Sequence, residues 1–132
     1  MPNCTYCGAW DGDQLDHVVP VSYNHNISRK STNKVSYRNT VPCCRECNSL
    51  LGARLYFTIP SRAAYLLGTY ERRYKKLLSQ PDWSDEEIEE LGPSMRTSII
   101  QSMKDKKEVR RQLEHLELVA DERIEVPVDR PT

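Results

Sequence analysis

Seven side chains within the first fifty residues of this chain combine the type and the spacing to bind metals or move protons. They are Cys4, Cys7, Asp16, His17, Cys44, Cys47 and Asn48. Cys4 and Cys7 are three apart, as are Cys44 and Cys47. That spacing lets one tight turn aim two thiolates at a common point, and two such turns make a closed, tetrahedral Zn²⁺ site. Such a site has no open position and does no chemistry itself. The chemistry must lie in what it holds together. Asp16 and His17 fall inside the loop that the metal closes, and Asn48 directly follows a ligand. A carboxylate and an amide oxygen are hard ligands suited to Mg²⁺ or Mn²⁺, and a neutral histidine can take a proton from water near pH 7. The combination suits metal-assisted phosphodiester hydrolysis. Adjacent residues of a strand point to opposite faces, so Asp16 and His17 converge only if a bulge or turn re-aims one of them.

The order Cys4-x-x-Cys7, Asp16-His17-x-x-Pro20, Asn39, Cys44-x-x-Cys47-Asn48, Gly52 resembles the HNH endonucleases of the ββα-metal superfamily, in particular their zinc-stapled phage and mobile-element members. The resemblance covers about residues 1–60. It implies that His17 is the general base, that Asp16 and Asn48 hold the catalytic divalent ion (Mg²⁺ or Mn²⁺), and that Asn39 orients the base or ties the loop. It implies that Cys4, Cys7, Cys44 and Cys47 hold the structural zinc, and that the substrate is DNA. The last letter of the motif is Asn48 rather than His, which favours a hard ion. The competing expectations are a catalytically silent zinc module that binds DNA or a protein, and a structural phage component assembled through its helices. Two other zinc patterns fail on spacing. A nucleobase deaminase wants H-x-E and then P-C-x-x-C, but Pro42-Cys43 is followed by Glu46 where the second cysteine should stand. A C₂H₂ finger wants two histidines three to five residues apart, and His17 and His25 are eight apart.

The elements that must position these groups follow from pattern. Leu15–Val21 reads as a first strand, Thr40–Cys43 as a second, and Arg45 to about Leu51 as a helix closed near Gly52. Cys43 is left out of the site as a small buried side chain, and Asn48 could also N-cap the helix. Residues 22–38 carry Arg29, Lys30, Lys34 and Arg38 and no acid, which suits a loop that meets phosphate. Residues 53–60 are expected to connect to the helical half and pack on the core. A second helix should run from an N-cap at Ser61 to about Ser79, with Ala63, Leu66, Leu67, Tyr70, Tyr74, Leu77 and Leu78 inward. Its other face presents Arg72, Arg73 and Lys76 as further candidates for DNA contact. Ser84-Asp-Glu-Glu87 forms a capping box for a short helix ending at Gly92. Residues 81–92 carry six acids and no base, and should lie away from DNA or pair with the basic helix before them. A last helix, from Pro93 or Ser94 to about Ala120, has an apolar stripe broken near Lys106, and its His115 reads as a helix-face residue far from the motif.

The expected architecture is α+β: a small zinc-stapled ββα-metal nuclease core (1–60), an α-helical extension packed on it (61–120) and a tail (121–132). With 132 residues, 38% hydrophobic content and one Phe, the first half is poor in core residues, and a zinc staple suits it on stability grounds. The formal net charge is zero, so global charge carries no nucleic-acid signal. No apolar run approaches membrane-spanning length and no targeting segment opens the chain, which points to a soluble intracellular protein (host cytoplasm if phage-encoded), monomeric or homodimeric.

Overall fold

The computed structural model describes residues 2–18 and 40–124. Asn39, His25 and the loop cations Arg29, Lys30, Lys34 and Arg38 lie outside these, as do the last eight residues of the tail. The fold is α+β, a two-stranded antiparallel sheet followed by helices.

Strand β1 spans Gln14–His17 and β2 spans Thr40–Cys43. Their register pairs Gln14 with Cys43, Leu15 with Pro42, Asp16 with Val41 and His17 with Thr40. Among the described residues β1 ends at His17, and positions 19–21 of the expected Leu15–Val21 strand lie outside them. Opposed residues of an antiparallel pair share a face. Gln14, Asp16, Val41 and Cys43 form the inner face, on which Asp16, Val41 and Cys43 are buried. Leu15, His17, Pro42 and Thr40 form the outer one, where Leu15 is 62% exposed.

Helix α1, Arg45–Leu51, follows β2 after one residue. Its N-cap is Cys44, whose sulfur accepts the Cys47 N–H, so Asn48 lies within the first turn and is not the cap. Gly52 ends the helix at φ 53°, a conformation that glycine adopts without steric penalty.

Helix α2 spans Ile59–Arg73 and begins earlier than the Ser61 cap implied. Thr58 is the cap, with its hydroxyl accepting the Ser61 N–H, and Pro60 falls in the first turn, where a missing N–H leaves no helical bond unmade. The helix breaks at Tyr74 before a short α3, Lys75–Leu78. Of the connecting residues 53–60, Ile59 packs in the core as expected, and the segment before it does not. Leu55, Tyr56 and Phe57 stay 59%, 38% and 39% exposed. Helix α4, Asp85–Glu89, carries the capping box of Ser84 and Glu87 and ends three residues short of Gly92. Helix α5 spans Pro93–Ala120.

One core joins the cysteine-rich half to the helices. Ile59, Ala63, Leu66 and Tyr70 of α2 and Leu116 and Val119 of α5 pack in the same cluster as Tyr6, Val18, Val41 and the cysteines. The break in the α5 stripe at Lys106 has a physical explanation. Its stem is buried and its ammonium reaches the Gln80 carbonyl and the Asp82 carboxylate, 3.1 Å away. A long cation can thus fill a core-facing position by carrying its charge to the rim. This pins the acidic 79–84 connection to α5, where Arg110 also meets Asp82 at 3.8 Å. The acid of that segment pairs with the last helix, not with the basic helix before it.

Candidate metal centre and the Asp16–His17 strand

The first knuckle is a tight turn closed by bonds from Cys4 N to the Ala9 carbonyl (2.7 Å) and from Gly8 N to the Cys4 carbonyl (2.9 Å). Gly8 has φ 75°, and a Cβ there would stand 2.8 Å from the His115 ring, so both backbone and space require glycine. Thr5 N donates to the Pro42 carbonyl at 2.9 Å, which ties the knuckle to β2. Capping of α1 by Cys44 turns the second pair toward the first.

The four sulfurs of Cys4, Cys7, Cys44 and Cys47 lie within 4.8 Å of one another, all buried. Cys7 Sγ and Cys44 Sγ are 3.7 Å apart. A tetrahedral Zn–S₄ centre with bonds near 2.3 Å has sulfurs about 3.8 Å apart. All five cysteines are free thiols. The group therefore fits a tetrahedral metal and can hold one. Four sulfurs this close cannot all ionise by themselves. S–H bonds from Cys43 first, then from Cys44, Cys47 and Cys7, drive the Cys4 thiol far down, while contact with Cys4 pushes Cys7 and Cys47 up, with burial adding to both. A divalent cation at the centre removes that conflict. Cys43 stands beside the group without belonging to it, its sulfur donating to the Cys44 carbonyl at 3.3 Å.

Neutral donors from the helices surround the sulfurs. The Tyr70 hydroxyl of α2 is 3.1 Å from Cys47 Sγ, and Gln112 Nε2 of α5 donates to Cys7 Sγ at 3.3 Å. Burial holds the Tyr70 phenol above its usual range, with the nearby Cys47 adding to the effect, so it stays a donor. His115 Nδ1 lies 2.8 Å from the Tyr6 carbonyl, so this histidine braces the first knuckle rather than lying far from it.

Asp16 turns inward. Its Oδ1 accepts from Arg62 Nη2 at 2.7 Å, and its Oδ2 from Arg62 Nε at 2.9 Å and from the Tyr6 hydroxyl. The two charged side chains are 4% and 0% exposed. Burial, with the Asp16 charge next, holds the Tyr6 phenol protonated well above its usual range. Asn48 donates from Nδ2 to Gln14 Oε1 at 2.7 Å, at the other end of the inner face. The strand has no bulge between Asp16 and His17, so His17 faces outward, half-buried. Asp16 and Asn48 thus share a side of the hairpin and His17 has the other. With Asp16 engaged on both oxygens and Asn48 on Gln14, the described residues do not assemble an open divalent-ion site.

Two of the three candidate DNA contacts on α2 and α3 have partners within the chain. Arg73 Nε meets Glu46 Oε2 at 2.9 Å, which ties α2 to α1, and Tyr74 donates to the same carboxylate at 2.5 Å. Arg72 reaches the Thr69 hydroxyl at 3.4 Å, and Lys76 is exposed. No motif in the sequence marks Arg62 or Tyr70 as a site residue. A signal for Arg62 was present: it is a cation one turn from Ile59 and Leu66, on the apolar face of α2.

The chain matches no protein-family model, no curated protein and no solved structure. No helix among the described residues is long and apolar enough to cross a membrane.

Proposed function

We propose that this chain is a DNA endonuclease of the HNH type, with a structural zinc at Cys4, Cys7, Cys44 and Cys47 and with His17 as the general base. One observation carries the reading. The cysteine group pins the order β1–β2–α1, with His17 at the outer end of β1 and Asn48 one residue past a ligand. In the proposed reaction His17 accepts a proton from water as the water oxygen bonds to phosphorus. The P–O3′ bond breaks, and the 3′ oxygen leaves and is protonated. Mg²⁺ or Mn²⁺ is the cofactor such chemistry takes, offsetting charge at the phosphate. Arg62 engages both Asp16 oxygens, so that carboxylate is not free to hold the ion. The backbone contacts proposed for the substrate are Arg72 and Lys76.

The inward Asp16 favours a second reading, a silent zinc module that binds nucleic acid or a protein through the same scaffold. Supercoiled plasmid separates the two. The zinc-loaded protein with Mg²⁺ or Mn²⁺ should convert it to nicked or linear DNA. Binding without any conversion would favour the silent module and overturn the nuclease.

A further inference from the structure

Arg62 is the largest fully buried side chain of the described residues, and its position is unusual in what it touches. Nε and Nη2 hold the Asp16 carboxylate as a fork, at 2.9 and 2.7 Å. Nη1 donates to the Val18 carbonyl at 3.0 Å and to the Tyr56 carbonyl at 2.7 Å. One guanidinium therefore grips the residue before His17 and the residue after it. The sheet does not do this. Among the described residues His17–Thr40 is the last pair of the ladder, and the Val18 carbonyl just beyond it is held by Arg62. Drawing Asp16 inward also sends its neighbour outward, because alternation leaves His17 no other face.

We infer that Arg62 is a positioning residue for His17: its fork on Asp16 and its bond to the Val18 carbonyl fix where the imidazole stands on the rim of the hairpin. This rests on the nuclease reading given above. Arginine is the residue that can do it. Its planar fork meets two carboxylate oxygens and a third acceptor at once, whereas the lysine ammonium is a compact point charge on a flexible stem. The Arg62→Lys variant keeps the charge that Asp16 requires and loses the geometry. Misplacing a catalytic group by about 1 Å can lower a rate by roughly 10²-fold while binding is unaffected.

The experiment measures initial nicking rates of supercoiled plasmid against DNA concentration for wild type, Arg62→Lys and Val109→Ala, with zinc content and melting temperature for each. Val109 is buried in α5 outside the cluster that holds the cysteines, Tyr6 and Val18, so its variant reports destabilisation alone. Arg62→Lys should lose about 10- to 100-fold in kcat with KM within about two-fold, while Val109→Ala keeps its kcat in spite of a lower melting temperature. An unchanged kcat in Arg62→Lys overturns the inference. So does an equal fall in both variants, which would make Arg62 only a stabiliser. If Arg62→Lys does not fold, Tyr6→Phe carries the test, because it removes one hydrogen bond from the same carboxylate and leaves both charges. A lower kcat at constant KM supports the role, and an unchanged kcat refutes it. An inert wild type instead overturns the nuclease reading itself, and the positioning role falls with it.

Discussion

Replacing Asp16 by Asn tests the buried ion pair on which the inner face of the hairpin is built. The substitution keeps the volume and removes the charge, leaving the Arg62 guanidinium at 0% exposure with no anion. Two charge-assisted hydrogen bonds, at 2.7 and 2.9 Å, become bonds to a neutral amide, and one of them must face an NH₂ group. Removing one partner of a buried pair destabilises by about 3–5 kcal/mol. A chain of 132 residues has an unfolding entropy near 280 cal/mol/K at its midpoint, taken at about 2.1 cal/mol/K per residue, so Tm should fall by about 11–18 °C. Calorimetry of the zinc-loaded protein reads this directly. The double variant Asp16→Leu/Arg62→Met replaces both charges with apolar groups and should be more stable than the sum of its single changes predicts, by at least about 2 kcal/mol. If Asp16→Asn melts within about 2 °C of wild type, the pair is not buried as described and the reasoning on Arg62 fails with it.

Other consequences follow from the same structure. Tyr70→Phe removes a hydroxyl 3.1 Å from Cys47 Sγ, and zinc affinity in competition with a chromogenic chelator should fall by about 10-fold or more. Unchanged affinity would mean that the phenol only fills space. The Asp82 carboxyl is held below its usual range, by Lys106 first and Arg110 next. Because its folded pKa is the depressed one, the stabilisation is present at neutral pH and is lost as pH falls through the acidic carboxylate range. Asp82→Asn should therefore melt below wild type at neutral pH, and the gap should close in acid. A gap that persists there would assign the difference to something other than charge.

Much of the framework was legible in the sequence, for reasons that are local. Two C-x-x-C turns need only their own spacing to aim four sulfurs inward, and the cysteine group forms as expected. The capping box at Ser84 and the span of α5 likewise depend on neighbours within a turn or two. The start of α2 is ambiguous in the sequence because Pro60 reads as a breaker from the left and as a first-turn residue from the right. Only the Thr58 hydroxyl on the Ser61 N–H decides between them. Strand alternation warned that Asp16 and His17 diverge unless a bulge intervenes, and none does. What the sequence could not disclose was the partner of Asp16. Arg62 is 46 positions away, and the pair meets only once α2 has packed across the hairpin. The donors to the sulfurs from Tyr70 and Gln112 are hidden for the same reason, being set by how α2 and α5 seat on the knuckles.

Whether His17 activates water at a phosphodiester is read from single-turnover cleavage of supercoiled plasmid by wild type and His17→Ala. Both proteins should be zinc-loaded, equally folded and supplied with Mg²⁺ or Mn²⁺. Wild type should cleave, and His17→Ala should lose about 10²-fold or more, with zinc content and melting temperature little changed. Equal rates in the two proteins would contradict that role, because the outward imidazole at the end of β1 would then have no part in the chemistry.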